Sequence, residues 1–269
     1  MVKSVTGYRL PITDNRLTHF SQLLMKAMIF AAGLGTRFRP LTNSKPKALV
    51  EVNGTPLLEI VINRLKLFGF NEIIINAHHF AGSIIDFLNK KRNFNIKIII
   101  SDETEKLLGI GGGLKKASWF FNDNEPFLAH NVDIVSDIDL KQLYESHIRS
   151  EALVTLAVKN RQSSNYLLFD SNKTLCGWIN KNSGEKKIVK NSNSNLTPLA
   201  FSGIHIISPS IFNLIKKDGV FPIIDTYLDL AANHKIVAFI DDNSLWIDAG
   251  KVENLKETGE ILINIKNGK

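Results

Sequence analysis

The chain has 269 residues, 44% hydrophobic and 22% charged, an ordinary balance for a globular protein long enough to bury most of its apolar surface. Seventeen glycines and eight prolines are too few for a collagen-like or low-complexity chain, and the single cysteine, Cys176, excludes a disulfide-built scaffold and cysteine-rich metal sites. Lysine and arginine outnumber aspartate and glutamate by 33 to 26, a net charge of +7 that suits an anionic partner, nucleic acid or a small phosphate ligand, without choosing between them.

Residues 1–24 are mixed and polar without a sustained period and read as an N-terminal extension. From residue 25 onward, apolar strand-like runs alternate with helix-like stretches. Residues 27–32 form a short apolar run fit for a central strand. Residues 57–68 carry Leu57, Leu58, Val61, Ile62, Leu65 and Phe68 on one helical face, with Thr55 as the expected cap and Pro56 in the first helical position. Ile73, Ile74 and Ile75 mark the next strand, 83–88 a helix, 96–100 a strand, 114–121 a helix, 126–130 a strand, 140–150 a helix and 152–158 a strand. This order predicts an α/β protein of the Rossmann-like, doubly wound type, with a mixed, mostly parallel sheet covered on both faces. Beyond about residue 160, short strands at 166–169, 174–178, 187–189 and 203–207 are separated by polar turns, which predicts an inserted antiparallel region. A helix at 223–233, strands at 236–240 and 244–247, and a helix at 252–265 complete one compact unit over 25–265. No run approaches the ~18 apolar residues of a membrane span. A short apolar stretch after Lys26 runs into glycines and arginines rather than a cleavage site, so a cytoplasmic location without a membrane partner is expected.

The segment 31–49, AAGLGTRFRPLTNSKPKAL, follows the first strand, where open α/β sheets place their ligand crevice. Gly33 and Gly35 begin a dinucleotide fingerprint, but Phe38 stands where its third glycine belongs, and no G-K-[S/T] makes it a P-loop. What remains is a glycine turn trailed by Arg37, Arg39, Lys45 and Lys47. Bare backbone N–H groups at glycines approach phosphate oxygens closely, a guanidinium forks onto phosphate, and a lysine adds a mobile charge. A solvated basic loop is the alternative. The triple glycine Gly111–Gly113, ahead of a helix expected at Leu114, suits either a nucleotide or a flexible turn.

Two aspartates end apolar strands: Asp133 in His130-Asn131-Val132-Asp133 and Asp248 in Trp246-Ile247-Asp248-Ala249-Gly250. Such carboxylates could converge on Mg2+, a hard cation that favours oxygen ligands; for an aspartate taken singly, a helix cap or turn former is the commoner reading. Asn76, at the end of its strand, could face a base. The histidines show no ligand spacing. Trp119, Trp178 and Trp246 read as core or edge packing, and the dispersed lysines form no basic stripe for nucleic acid.

Residues 33–49 resemble the G-x-G-T-R-x-x-P-L-T…K-P-K-x-L signature of the sugar-1-phosphate nucleotidyltransferases, and the similarity spans most of 25–262. Among these the chain resembles the short bacterial N-acetylmuramate α-1-phosphate uridylyltransferases and mannose-1-phosphate guanylyltransferases. The resemblance implies that 25–160 is the nucleotide-binding part and 161–265 the sugar-binding part. It implies a reaction of NTP with sugar 1-phosphate to NDP-sugar and pyrophosphate. The favoured substrates are UTP with N-acetylmuramate 1-phosphate; GTP with mannose 1-phosphate, or UTP or dTTP with a hexose 1-phosphate, are the alternatives. Arg37 and Lys47 would be catalytic. Ala32, Gly33, Gly35, Thr36, Arg37, Lys47, Asn76 and Gly112 would bind the nucleotide; Asn131, Asn165 and Gly203 would bind the sugar; Asp133 and Asp248 would hold Mg2+. The chain departs from the family pattern at Ile110, Val132, Asn165, Ala249 and Lys251. A non-catalytic nucleotide-sugar sensor and a dinucleotide-dependent oxidoreductase stay open as readings from other classes.

Overall fold

A computed structural model describes residues 25–192 and 195–266; the extension at 1–24 lies outside the described residues. The first half of the chain holds β1 (Met25–Phe30), β2 (Glu51–Val52), β3 (Thr55–Pro56), α1 (Leu57–Leu67), β4 (Phe70–Ala77), α2 (Ala81–Lys90), β5 (Lys97–Asp102), α3 (Gly109–Lys116), β6 (Phe127–Asn131), β7 (Ile134–Ser136) and α4 (Leu140–Ser150). The second holds β8 (Val154–Lys159), β9 (Asn165–Phe169), β10 (Leu175–Asn180), β11 (Lys186–Ile188), β12 (Thr197–Ile207), α5 (Ile223–Ala231), β13 (Ile236–Ile240), β14 (Trp246–Asp248) and α6 (Leu255–Lys266).

Ten strands form one mixed sheet. Its parallel half runs β5-β4-β1-β6, with β1 flanked by β4 and β6. The antiparallel β12 then joins everything: Ile204–Ile207 pair with β6, Thr197–Leu199 with β9, and its middle and end with β8. Strands β9, β10 and β11 follow as the inserted antiparallel wing. This is the mixed α/β sheet expected from the sequence. The strand expected at 203–207 proves to be the last part of an eleven-residue strand. Its register with β8 shifts between Phe201 and His205, where Gly203 takes a positive φ of 77°. A glycine with positive φ and a slipped register hide the pattern of one long strand.

Side chains of β1 alternate between the two faces. Ala27 and Ile29 enter one core with Ile73, Ile75 and α1; Met28 and Phe30 enter the other with Ile74, Leu114 and Tyr227. This period-two division is what packs helices on both sides of the sheet. A third cluster joins Phe38, Val50 and Leu57 to Val135, Ile247, Ala249 and Leu262. It fastens the 33–49 loop to β7, β14 and α6, and so underlies the site described next.

Helix α1 buries Leu57, Leu58, Val61, Ile62 and Leu65, the stripe expected of it. Its start differs: Pro56 is the N-cap, and Thr55 pairs with Val52 in a small β2–β3 ladder instead of capping. Helix α3 begins at Gly109, so the triple glycine lies inside it. Glycine is a poor helix former; here packing overrides propensity, as Gly111 N–H donates to Phe221 O (3.0 Å) and Phe221 N–H to Leu108 O (3.2 Å). Among the described residues, no helix is long and apolar enough to cross a membrane.

Three histidines are buried within this frame. His147 bridges Thr155 Oγ1 and Ser208 Oγ, each at 3.0 Å, and His205 lies stacked on Phe201 with Tyr227 at its edge. Burial lowers His130 and His147 from 6.5 to about 4, and His205 to about 3. They are neutral when folded and protonate on unfolding, so their stabilisation is present above pH ~6.5 and lost as pH falls towards 4. Unfolding is therefore expected to take up about three extra protons across this window. Urea midpoints measured from pH 7 to pH 4.5 should fall steeply; a flat profile would contradict this assignment.

Candidate active site

Four charged side chains from distant parts of the chain meet at one end of the sheet. Lys47 Nζ lies 2.6 Å from Asp133 Oδ2. Arg37 Nη1 lies 3.3 Å from Asp248 Oδ2, and its Nη2 3.8 Å from Asp133 Oδ2. The cations arrive on the 33–49 loop. Gly35, at φ 63°, opens a short 3-10 turn, Thr36–Phe38, whose Phe38 is fully buried. The loop then folds back: Thr42 Oγ1 donates to Gly35 O (2.8 Å), and a Cβ on Gly35 would stand 2.9 Å from Thr42 and 3.1 Å from Lys47 Cβ. Gly35 must be a glycine on both grounds. Of the four loop cations, Arg37 and Lys47 reach the carboxylates, whereas Arg39 and Lys45 make no ion pair with an acidic side chain there.

The carboxylates are brought together by a short antiparallel pair apart from the main sheet. In it β14 pairs with β7, placing Asp248 opposite Ile134, and Ala249 N–H donates to Asp133 O at 2.8 Å. Val132 N–H donates to Phe30 O, which ties this turn to the end of β1. A Cβ on Gly250 would lie 2.5 Å from Asp248 Oδ1, 2.6 Å from Asp133 Oδ2 and 2.9 Å from Arg37 Nη2. Both carboxylates and the guanidinium thus border a single point that only a glycine leaves free. Two converging carboxylate oxygens are a hard-donor set suited to a divalent cation. No group of three or more His, Cys, Asp or Glu side chains gathers for a metal among the described residues, so water and phosphate oxygens would complete its shell. Gly250→Ala is expected to push these groups apart and lower turnover at least ~100-fold, with a melting temperature within a few degrees of wild type. Steady-state rates beside a thermal melt check this; near-normal rates would show that the clustered geometry is not needed.

The remaining sequence-identified residues divide by placement. Gly33 and Thr36 are exposed on the loop, and a Cβ on Gly33 would meet Lys47 Nζ at 3.9 Å. Asn131 faces Gly203, where a Cβ would approach Asn131 Nδ2 to 3.0 Å. Asn165 is exposed on β9 and lines a recess of about 190 Å³ with Phe201, Trp178 and Ile224. Two residues expected to face the nucleotide are otherwise engaged. Asn76 is buried, its Oδ1 accepting from Ala31 N–H (2.7 Å) and Ala32 N–H (3.3 Å), its Nδ2 donating to Glu103 Oε1 (2.8 Å). Gly112 is buried too: a Cβ there would stand 2.1 Å from Gly219 O, so the close approach this glycine permits is to the chain itself. Val132, the departure from a motif glycine, is fully buried in the core.

Sequence reasoning passed over Arg161. Its guanidinium stacks 3.9 Å above the Trp246 ring and donates to Phe201 O at 2.9 Å, while Trp246 Nε1–H donates to Ser202 O at 2.9 Å. Burial lowers its pKa, opposed by the charge of Asp248. This stack ties the strand carrying Asp248 to the segment leading into Gly203. No local pattern marks Arg161, because its partners lie 40 and 85 residues away in sequence. Glu103 was missed in the same way. Trp119, expected in packing, is 57% exposed.

The geometry accords with what the chain resembles. The nucleotidyl transferase family model matches residues 26–264. The chain is 30% identical over 239 residues to the N-acetylmuramate alpha-1-phosphate uridylyltransferase of Caulobacter vibrioides, covering 86% of this chain and 93% of that protein. It is 32% identical over 240 residues to the enzyme of the same name from Neisseria meningitidis, covering 87% and 96%. Among solved structures, HddC from Yersinia pseudotuberculosis complexed with GMP-PN superposes with a TM-score of 0.71 at 24% identity, covering 88% of this chain and 99% of that one, a likeness of fold. With the family model matching residues 26–264 and its loop cations set against two strand-end carboxylates, the chain belongs to the nucleotidyl transferase family and is a sugar-1-phosphate nucleotidyltransferase.

Proposed function

We propose that the protein transfers a uridylyl group from UTP to N-acetylmuramate 1-phosphate, releasing pyrophosphate. The convergence of Arg37 and Lys47 on Asp133 and Asp248 carries the reading of the chemistry. The choice of substrates is supported by similarity over nearly the whole length of two uridylyltransferases of that name. A phosphate oxygen of the sugar 1-phosphate attacks the α-phosphorus of UTP. The bond from the α-phosphorus to the bridging oxygen breaks, and pyrophosphate leaves with the electron pair. Such transfers need positioning and charge stabilisation more than covalent help from the protein. Gly33 and Gly35 let the loop backbone approach the phosphates. Arg37, exposed and forked, neutralises charge on the reacting phosphorus and the departing pyrophosphate. Lys47 holds the α-phosphate and the incoming sugar phosphate. Asp133 and Asp248 would hold Mg2+, which supplies Lewis-acid charge to the phosphates. Asn131, Asn165 and Gly203 form the sugar side.

The test is pyrophosphate release across the four common NTPs and a panel of sugar 1-phosphates that includes N-acetylmuramate, mannose and glucose. Release restricted to UTP with N-acetylmuramate 1-phosphate supports the proposal. Preference for GTP with mannose 1-phosphate, or for a neutral hexose 1-phosphate with UTP or dTTP, would overturn the substrate assignment and keep the reaction. Nucleotide binding without release for any pair would favour a sensor.

A further inference from the structure

One buried carboxylate lies outside the four-charge cluster. Glu103 is 1% exposed and is the first residue after β5, at the start of the segment that leads to α3. Its backbone is held from both sides: its N–H donates to Ala77 O at 2.7 Å, and its carbonyl is 2.6 Å from His78 Nδ1. Both carboxylate oxygens are engaged. Oε1 accepts from Asn76 Nδ2 at 2.8 Å, and Oε2 accepts from Leu108 N–H at 3.1 Å. Leu108 is the N-cap residue of α3, while Asn76 Oδ1 takes the N–H groups of Ala31 and Ala32 immediately before Gly33. Gly113 packs onto the same point, since a Cβ there would lie 2.6 Å from Glu103 Oε1 and 2.8 Å from Asn76 Nδ2.

The bonds run in one direction. Ala31 and Ala32 donate to Asn76, Asn76 donates to Glu103, and Leu108 donates to Glu103. The Asn76 amide has one permitted orientation, because turning it would set its NH2 against two backbone N–H donors and its oxygen against a carboxylate. The three links through Asn76 are buried and the one from Leu108 is partly buried, and burial is where an unmatched donor or acceptor is most costly.

We propose that Glu103 is a positioning residue for the nucleotide: through this relay it locks the Gly33–Gly35 turn to the start of α3, and so sets the shape of the NTP site. The proposal rests on the reading that the 33–37 turn holds the triphosphate. Glu103 itself touches no substrate; it acts through Asn76 and the Ala31–Ala32 backbone.

The polarity of the relay gives a test by exchange. In Glu103→Gln the new NH2 faces either Leu108 N–H or the Asn76 NH2, so one donor is always set against another. In Asn76→Asp two carboxylates face each other. In the double variant N76D/E103Q, Asp accepts from Ala31 and Ala32 and from the glutamine NH2, and the glutamine oxygen accepts from Leu108. Each donor again meets an acceptor, and the formal charge equals that of wild type. Three readouts apply to all four full-length proteins: KM for the NTP, KM for the sugar 1-phosphate, and hydrogen exchange at the Ala31, Ala32 and Leu108 amides. Each single variant is expected to raise the NTP KM by about 10- to 100-fold, to leave the sugar-phosphate KM nearly unchanged, and to lose protection at these amides together. The double variant is expected to recover both. A double variant as impaired as the singles would overturn the proposal, and so would protection lost and regained while the NTP KM stays constant. Silence of the wild-type enzyme with every substrate pair would instead overturn the functional reading and the nucleotide role of Glu103 with it. An active wild type with no rescue in the double variant would fault the relay alone.

Discussion

Replacing Asp133 with asparagine is expected to lower turnover by about 10³-fold or more while the protein stays folded. The side chain keeps its size and one acceptor, so the turn between β6 and β7 is preserved by its backbone bonds, Val132 N–H to Phe30 O and Ala249 N–H to Asp133 O. What is lost is half of a two-carboxylate donor set and the negative partner of Lys47, whose Nζ lies 2.6 Å from Asp133 Oδ2. The variant carries one negative charge fewer beside the expected triphosphate. NTP binding without a divalent ion should therefore be equal to or tighter than in wild type, whereas Mg2+-supported turnover collapses. Calorimetric titration with and without Mg2+, beside initial rates, separates the two effects. Turnover within about tenfold of wild type would remove Asp133 from the centre of the mechanism.

Arg37→Ala and Lys47→Ala are expected to cost about 10²- to 10³-fold in turnover each, yet to differ in stability. The Arg37 side chain is 54% exposed and its ion pairs are 3.3 and 3.8 Å long. Exposed pairs of this kind contribute ~0–1 kcal/mol, so Arg37→Ala should melt like wild type. Lys47 is different: its side chain is 14% exposed and its partner Asp133 10%. Removing it leaves a nearly buried carboxylate without its cation, and a loss of about 1–3 kcal/mol is expected alongside the loss of activity. Arg37→Lys should recover only part of the rate, because an ammonium cannot fork across two phosphate oxygens. Rates and chemical-denaturation midpoints on the same preparations check the pattern. Wild-type rates in Arg37→Ala, or unchanged stability in Lys47→Ala, would contradict the division of labour drawn from the geometry.

The contrast between these two cations shows what local sequence can and cannot reveal. The 33–49 loop is legible because its glycines, prolines and basic residues are close together in the chain and each has a local physical reason. The sheet is legible where strands are continuous, as at Ile73–Ile75, and α1 where five apolar residues fall on one stripe. The convergence of Asp133 and Asp248 rests on two three-residue strands more than a hundred residues apart, and no periodicity signals such a pair. The triple glycine was misplaced before its helix because propensity opposes a glycine helix, while the approach of Gly219 and Phe221 demands one. The position of Asn76 at a strand end is open to a base contact on sequence alone. Its amide serves the backbone of the neighbouring strand, a role set by the parallel β1–β4 register and by Glu103, which no local pattern marks. Arg161 belongs with these, since its partners Phe201 and Trp246 come from other strands.

The most direct test of the central claim is a phosphorus NMR time course of the full-length protein with UTP, N-acetylmuramate 1-phosphate and Mg2+. The account predicts equal build-up of a sugar nucleotide diphosphate and pyrophosphate as the UTP α-phosphate signal declines, and no build-up in Asp133→Asn. Release of orthophosphate in place of pyrophosphate, or an α-phosphate that remains in UTP while the protein is shown to bind it, would contradict the claim that this four-charge cluster transfers a nucleotidyl group to a sugar phosphate.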